Sequence, residues 1–222
     1  PRHDALHLLN GREGGDGLRL GHRAPAYRGP RLLPGTRGGG ILRSMAHEHD
    51  WDQAYRDTDR LWSGEPNAAL VAEVPKLRRG RVLDVGCGEG ADAIWLAAHG
   101  WEVTALDPSM VAIERGQRAV EATGLIVEWV RGNIGEAPLP HDDFDLVSAF
   151  YVPLLKGSPA VEALVSAVAP GGSLLVVHHA DFTPQHSHVD PATLVYPDDV
   201  VERLGEGWTV LVHERRARRV TE

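Results

Sequence analysis

Val82-Leu83-Asp84-Val85-Gly86-Cys87-Gly88-Glu89-Gly90 is the stretch on which the fold of this chain turns. Residues 81–85 read as a short buried strand, and residues 91–99 carry a helical pattern that Gly100 ends. Three glycines at alternate positions lie between them. Glycine lets a backbone turn tightly and lets a ligand approach without meeting a Cβ. The helix start beyond it leaves N–H groups unpaired beside such a ligand.

Working outward, short apolar runs alternate with amphipathic segments, the pattern of a parallel sheet covered on both faces. Strands are predicted at 81–85, 101–106, 126–130, 144–149, 173–178 and 208–213. Helices are predicted at 50–57, 67–74, 91–99, 109–122, 158–168 and 198–204, with Asn67 and Ser109 as caps. Pro170-Gly171-Gly172 reads as a turn into the fifth of these strands. Nothing repeats internally, and 222 residues suffice for one well-buried core.

Residues 1–44 stand apart. They hold eight arginines against three acids, a balance of +5, and ten of the 25 glycines. The formal charge of −8 for the whole chain therefore leaves −13 on 45–222. Met45 is the first methionine. The expectation is a disordered basic tail, vector-derived or translated from upstream, followed by one domain over 45–222. The acidic domain argues against a broad grip on nucleic acid or anionic lipid. A single cysteine excludes an intrachain disulfide, and no apolar run approaches the roughly 20 residues of a bilayer span. A cytoplasmic location is expected, with neither membrane nor nucleic acid as partner.

The loop admits two ligands. Gly88-x-Gly90-x-x-Ala93 satisfies a dinucleotide fingerprint, which would make the chain a nicotinamide-dependent oxidoreductase. Asp84 weighs against it, because a carboxylate beside the loop repels a pyrophosphate and tolerates a sulfonium cofactor bearing an ammonium group. Asp107, 17 residues beyond Gly90 at the next strand's end, can accept both hydroxyls of a ribose.

At this point the sequence resembles the class I S-adenosylmethionine-dependent methyltransferases over essentially all of 45–222. Asp84 to Gly90 is similar to their first motif and Asp107 to their ribose-binding acid. Gly132-Asn133-Ile134 stands where that family places an acid beside adenine, with the Asn133 amide oxygen as substitute acceptor. Phe144-Asp145-Leu146-Val147 and Pro170-Gly171-Gly172-Ser173-Leu174 match its fourth strand and the turn into its fifth. The resemblance implies a single Rossmann-like α/β domain with a mainly parallel seven-stranded sheet and helices on both faces. It implies S-adenosylmethionine as cofactor, S-adenosylhomocysteine as product, and methyl transfer to a small-molecule acceptor. The cofactor residues would be Asp84, Gly86, Cys87, Gly88 and Asp107, joined by Trp62, Pro108, Asn133, Ile134 and Phe150.

Trp51-Asp52 and Leu61-Trp62-Ser63-Gly64-Glu65-Pro66-Asn67 are similar to the lead-in of the tellurite-resistance and thiopurine methyltransferase-like branch. There such a segment folds over the cofactor, making Trp62 a lid, and a soft acceptor (thiol, selenol or chalcogen oxyanion) fits. Arsenite is a poor fit, since Cys87 alone cannot hold arsenic. The family ordinarily finishes with an antiparallel hairpin. Here 208–213 gives one strand, and Arg215-Arg216-Ala217-Arg218-Arg219 is a poor second. Truncation and a short charged edge strand both stay open, as does a catalytically silent S-adenosylmethionine-binding module.

Acceptor-side candidates are Phe150, Tyr151, His178, His179 and Asp181, with Tyr151, His178 and His179 as candidate catalytic residues. His178 and His179 are adjacent on a strand, so one of them faces the site and the other does not. His186 and His188 have a spacing that suits a metal, but such a pair in a polar loop is ordinarily solvated, and no metal is expected.

Overall fold

Alternation along Arg81–Val85 (β2) sends Leu83 and Val85 to one face of a sheet and Val82 to the other. The same period governs its neighbours, and the result is one layer of strands between two layers of helices. The computed structural model describes residues 3–11, 51–180 and 190–217, with backbone alone for 3–6. The remaining strands are β1 (His3–Asn10), β3 (Glu102–Asp107), β4 (Val127–Arg131), β5 (Phe144–Phe150), β6 (Val168–His179) and β7 (Thr209–Ala217). The helices are α1 (Trp51–Arg56), α2 (Ala68–Glu73), α3 (Ala91–Ala98), α4 (Met110–Val120), α5 (Ala160–Ala167) and α6 (Pro197–Glu202).

All seven strands join one sheet in the order β4-β3-β2-β5-β6-β1-β7. β4 to β6 are parallel, and β1 is antiparallel to both its neighbours. Leu70, Ala93 and Leu96 of α2 and α3 pack on one face, and Val161, Leu164 and Val200 of α5 and α6 on the other. This is the expected single α/β domain with a mostly parallel sheet. Strand order reverses between β2 and β5, so their carboxyl ends open the crevice where such sheets bind ligands.

Three local expectations are revised. Pro170-Gly171-Gly172 does not separate a turn from a strand but lies within β6 as a bulge. Phe144 pairs with Val168 and Leu146 with Ser173, and Gly171 adopts φ +74° to take up the extra residues. Asn67 precedes α2 but makes no side-chain cap. Its amide goes instead to Asp92, as described below. Ser109 does cap α4, its Oγ accepting from the Ala112 N–H at 3.2 Å.

The largest correction concerns the chain's first residues. The expectation that 1–44 lies outside the fold fails at β1, which threads between β6 and β7. Leu8 and Leu9 are 3% and 0% exposed, each burial stabilising by about 1.5–3 kcal/mol. An eight-residue strand fed by partners on both sides needs little local periodicity, and the arginine- and glycine-rich surroundings hide it. Residues 12–50 lie outside the described residues. β1 also supplies the pairing of the last strand. The antiparallel partner of β7 is β1, and the basic stretch through Ala217 continues β7 itself. β7 is mostly exposed at the sheet edge, where charged side chains discourage unwanted pairing. Arg218 and Arg219 lie outside the described residues.

Candidate functional site

The glycine loop adopts the geometry its composition requires. Gly86, Gly88 and Gly90 have φ of +68°, +54° and +86°, a region side-chain-bearing residues rarely enter. The Gly86 and Cys87 N–H groups donate to the Leu106 carbonyl at 2.8 and 3.1 Å, tying the loop to the end of β3. Gly90 is the N-cap residue of α3. A Cβ there would strike the Trp129 ring, which packs beneath the loop.

A cleft of about 2600 Å³ opens at the carboxyl ends of the strands. Trp62, Asp84, Gly86, Cys87, Gly88, Asp107, Pro108, Asn133, Ile134 and Phe150 all line it. Asp107 is buried, and its two carboxylate oxygens accept the Gly88 and Ser109 N–H groups, both at 2.8 Å. It therefore fixes the loop as well as presenting acceptors to the cleft. Asp84 accepts the Ser148 hydroxyl at 3.0 Å on Oδ1, while its buried Oδ2 has no hydrogen-bond partner among the described residues. Asn133 donates its amide N–H to Glu136 at 3.0 Å, which leaves Oδ1 as acceptor.

Electrostatics give the cleft its character. Burial, then the neighbouring Asp92, pushes the Asp84 carboxyl well above the usual carboxylate range. Burial likewise raises Asp92 and Asp107. Three sequestered acids within mutual influence disfavour one another's ionisation, and a bound cation relieves them. Burial, then Asp84 and Asp107, raises the Cys87 thiol far above its normal value, so it stays protonated and unreactive.

The segment before α2 is strapped across the loop by residues that local patterning does not single out. Arg115 of α4 pairs with Glu89 at 2.8 Å and donates to the carbonyls of Tyr55 and Thr58, both at 2.6 Å. Glu89 in turn accepts the Leu61 and Trp62 N–H groups. Asp92 accepts both the backbone N–H and the amide of Asn67 at 2.7 Å. Trp62 is 53% exposed, donates Nε1 to the Tyr55 hydroxyl at 2.8 Å and sits above Gly88. Both Trp51 and Trp62 line the cleft. Only the strap's sequence resemblance hinted at this arrangement, since the partners of Glu89, Asp92 and Arg115 lie 25 or more residues away.

At the opposite end of the cleft, strand alternation separates the two histidines. His179 lines the cleft and stacks on Tyr151, ring centroids 4.7 Å apart. His178 does not line it; it is buried edge-on against Tyr196, centroids 5.0 Å apart, and so leaves the catalytic set. Tyr151 has φ +56°, a strained conformation for a bulky residue, and its N–H donates to Val177 O at 2.8 Å. Asp181, His186 and His188 lie outside the described residues.

Residues 82–172 match the family model described as a methyltransferase domain. The chain is 38% identical over 110 residues to malonyl-[acyl-carrier protein] O-methyltransferase of Enterobacter lignolyticus, covering 48% of this chain and 41% of that protein. It is 31% identical over 143 residues to ribosomal RNA small subunit methyltransferase C of Chromohalobacter salexigens, covering 62% and 39%. A structure solved in work on the conversion of a disulfide bond into a thioacetal group during echinomycin biosynthesis aligns with TM-score 0.50 and 32% identity, over 55% of this chain and 57% of that one. The chain thus spans about two fifths of the two curated relatives. No helix among the described residues is long and apolar enough to cross a membrane.

Proposed function

We propose that this chain, whose residues 82–172 match a methyltransferase domain, is a class I enzyme that transfers a methyl group from S-adenosylmethionine to a small-molecule acceptor in the cytoplasm. The observation that carries this reading is Asp84, which lines the cleft beside the glycine loop and holds a buried Oδ2 with no hydrogen-bond partner among the described residues. That atom suits the cofactor's ammonium group and would repel a diphosphate, so the residues present fit the sulfonium cofactor and disfavour a nicotinamide dinucleotide.

Asp84 would hold the amino-acid end, the Gly86–Gly88 turn the backbone beside it, Asp107 the ribose hydroxyls and Asn133 the adenine. When bound, the cofactor supplies an activated methyl group on a good leaving group. The chain's task is alignment, which supplies roughly 7–11 kcal/mol through proximity and orientation. Trp62 and the strap would cover the cofactor and exclude water. Tyr151 and His179 would place the acceptor, with His179 positioned to take a proton from an acceptor that arrives protonated.

A soft acceptor is the reading we favour. The tellurite-resistance and thiopurine-like lead-in supports it, and so does the structural relative concerned with disulfide and thioacetal chemistry. Relatives named for ribosomal RNA point elsewhere. The −13 charge over 45–222 weighs against a polyanionic acceptor.

Isothermal titration with S-adenosylhomocysteine tests the cofactor assignment, with one saturable site expected and no saturable response to NADH. The reverse pattern would overturn it. A panel of thiols, selenols, phenols, amines and a ribosomal RNA fragment then tests the acceptor. Methylation of a thiol or selenol is expected. Turnover of RNA alone would remove the small-molecule reading, and no turnover at all would leave a silent binding module.

A further inference from the structure

Outside the cleft, three residues from three separate elements converge on one point. His7 of β1 and His213 of β7 are directly opposed across their antiparallel pair, with ring centroids 4.1 Å apart. Asp198, the second residue of α6, comes up between them. Its Oδ1 lies 3.0 Å from His7 Nε2 and 3.3 Å from His213 Nε2. One potential ligand atom from each residue falls within 4.8 Å of the other two.

These spacings are those of ligands around one ion. A metal bound at roughly 2.0–2.2 Å by imidazole nitrogen and carboxylate oxygen sets its donor atoms about 3.0–3.5 Å apart in tetrahedral or octahedral geometry. His7 is 1% exposed and fixed in the sheet, whereas the Asp198 and His213 side chains are 72% and 63% exposed. The mouth of the cluster is thus open for an ion to enter and for water to complete its coordination.

We propose that His7, Asp198 and His213 form a binding site for a divalent transition-metal ion of borderline softness, zinc or nickel, which clips β1 to β7 and α6. Two imidazoles and one carboxylate suit such ions and are a poor set for magnesium or calcium, which prefer all-oxygen ligation. The site is structural. It touches none of the residues assigned to the cofactor, and it stands whatever the methyl acceptor proves to be.

Metal-free full-length protein, prepared by chelation, is titrated with zinc chloride and separately with nickel chloride. Saturable binding of one ion is expected. At a hundredfold excess over the dissociation constant, the melting temperature should rise by about 5–10 °C. His213→Gln and Asp198→Asn, both at exposed side chains, should each weaken binding at least about tenfold while circular dichroism reports an unchanged fold. A His186→Ala/His188→Ala variant should bind as the parent does. Absence of saturable binding to the folded protein overturns the proposal. So does binding that survives both His213→Gln and Asp198→Asn, or binding lost with His186 and His188.

Discussion

The two ends of the sheet are built on opposite plans. At the cofactor end, Asp84, the glycine turn, α3 and Asp107 follow one another within 24 residues of chain, and each positions the next. At the far edge, β1 pairs with residues 173–179 on one side and 209–217 on the other, joining segments that are remote in sequence. The first region is dense in glycines of positive φ and buried acids. The second is ordinary antiparallel pairing over a leucine core. The contrast shows the cofactor machinery concentrated where folding is costly, and stability gathered where no cofactor contact is assigned.

Substitutions can break that division. The largest effect is expected from Gly88→Val. A Cβ at φ +54° would lie 2.9 Å from the Tyr55 hydroxyl, so calorimetric binding of S-adenosylhomocysteine should fall by more than about a hundredfold. Leu9→Ala, at a fully buried position in β1, should cost about 2–5 kcal/mol in denaturant unfolding yet leave cofactor affinity unchanged. Equal losses in both measurements would dissolve the contrast.

Asp107→Ala removes the acceptor of two loop N–H groups and should weaken cofactor binding by about 1.5–3 kcal/mol, or roughly 10–150-fold. Asp84→Asn should also weaken it, by about tenfold. In the unliganded protein the same change should act the other way. Burial and Asp92 raise the folded-state pKa of Asp84 above the ordinary carboxylate range, so its stability contribution is full below that range and is lost as pH climbs through the raised value. Melting curves from pH 4 upward should decline less steeply for Asp84→Asn than for the parent. The smallest effect on binding is expected from His179→Ala, which should leave cofactor affinity within about twofold while turnover falls by about a hundredfold or more. A drop in affinity matching that of Asp107→Ala would move the acceptor to a different part of the cleft.

What could be read without coordinates follows the same division. Asp84 to Gly90 and Asp107 were legible because strand period, glycine turn and helix start are local properties. So was the choice between His178 and His179, in part, since alternation requires that they face opposite ways. The strap was not, because Arg115, Glu89 and Asp92 are commonplace surface residues until folding sets them against Tyr55, Trp62 and Asn67. Nor was β1. Strand order between distant segments leaves no local signature, and an eight-residue run beside arginine and glycine carries too few alternations to declare itself. The charged β7 misled for a related reason. Its polarity describes an edge facing solvent rather than an inability to pair.

The threading of β1 has a consequence for synthesis. Leu9 pairs with Leu174 and Val210, so its first neighbour emerges 165 residues after it. At a translation rate of about 5–20 residues per second, the two leucines wait roughly 10–30 s on a growing chain before β6 exists to receive them. The far edge of the sheet then closes around the earliest strand: β1 docks on β6 once that strand exists, and β7, made last, is added outside it.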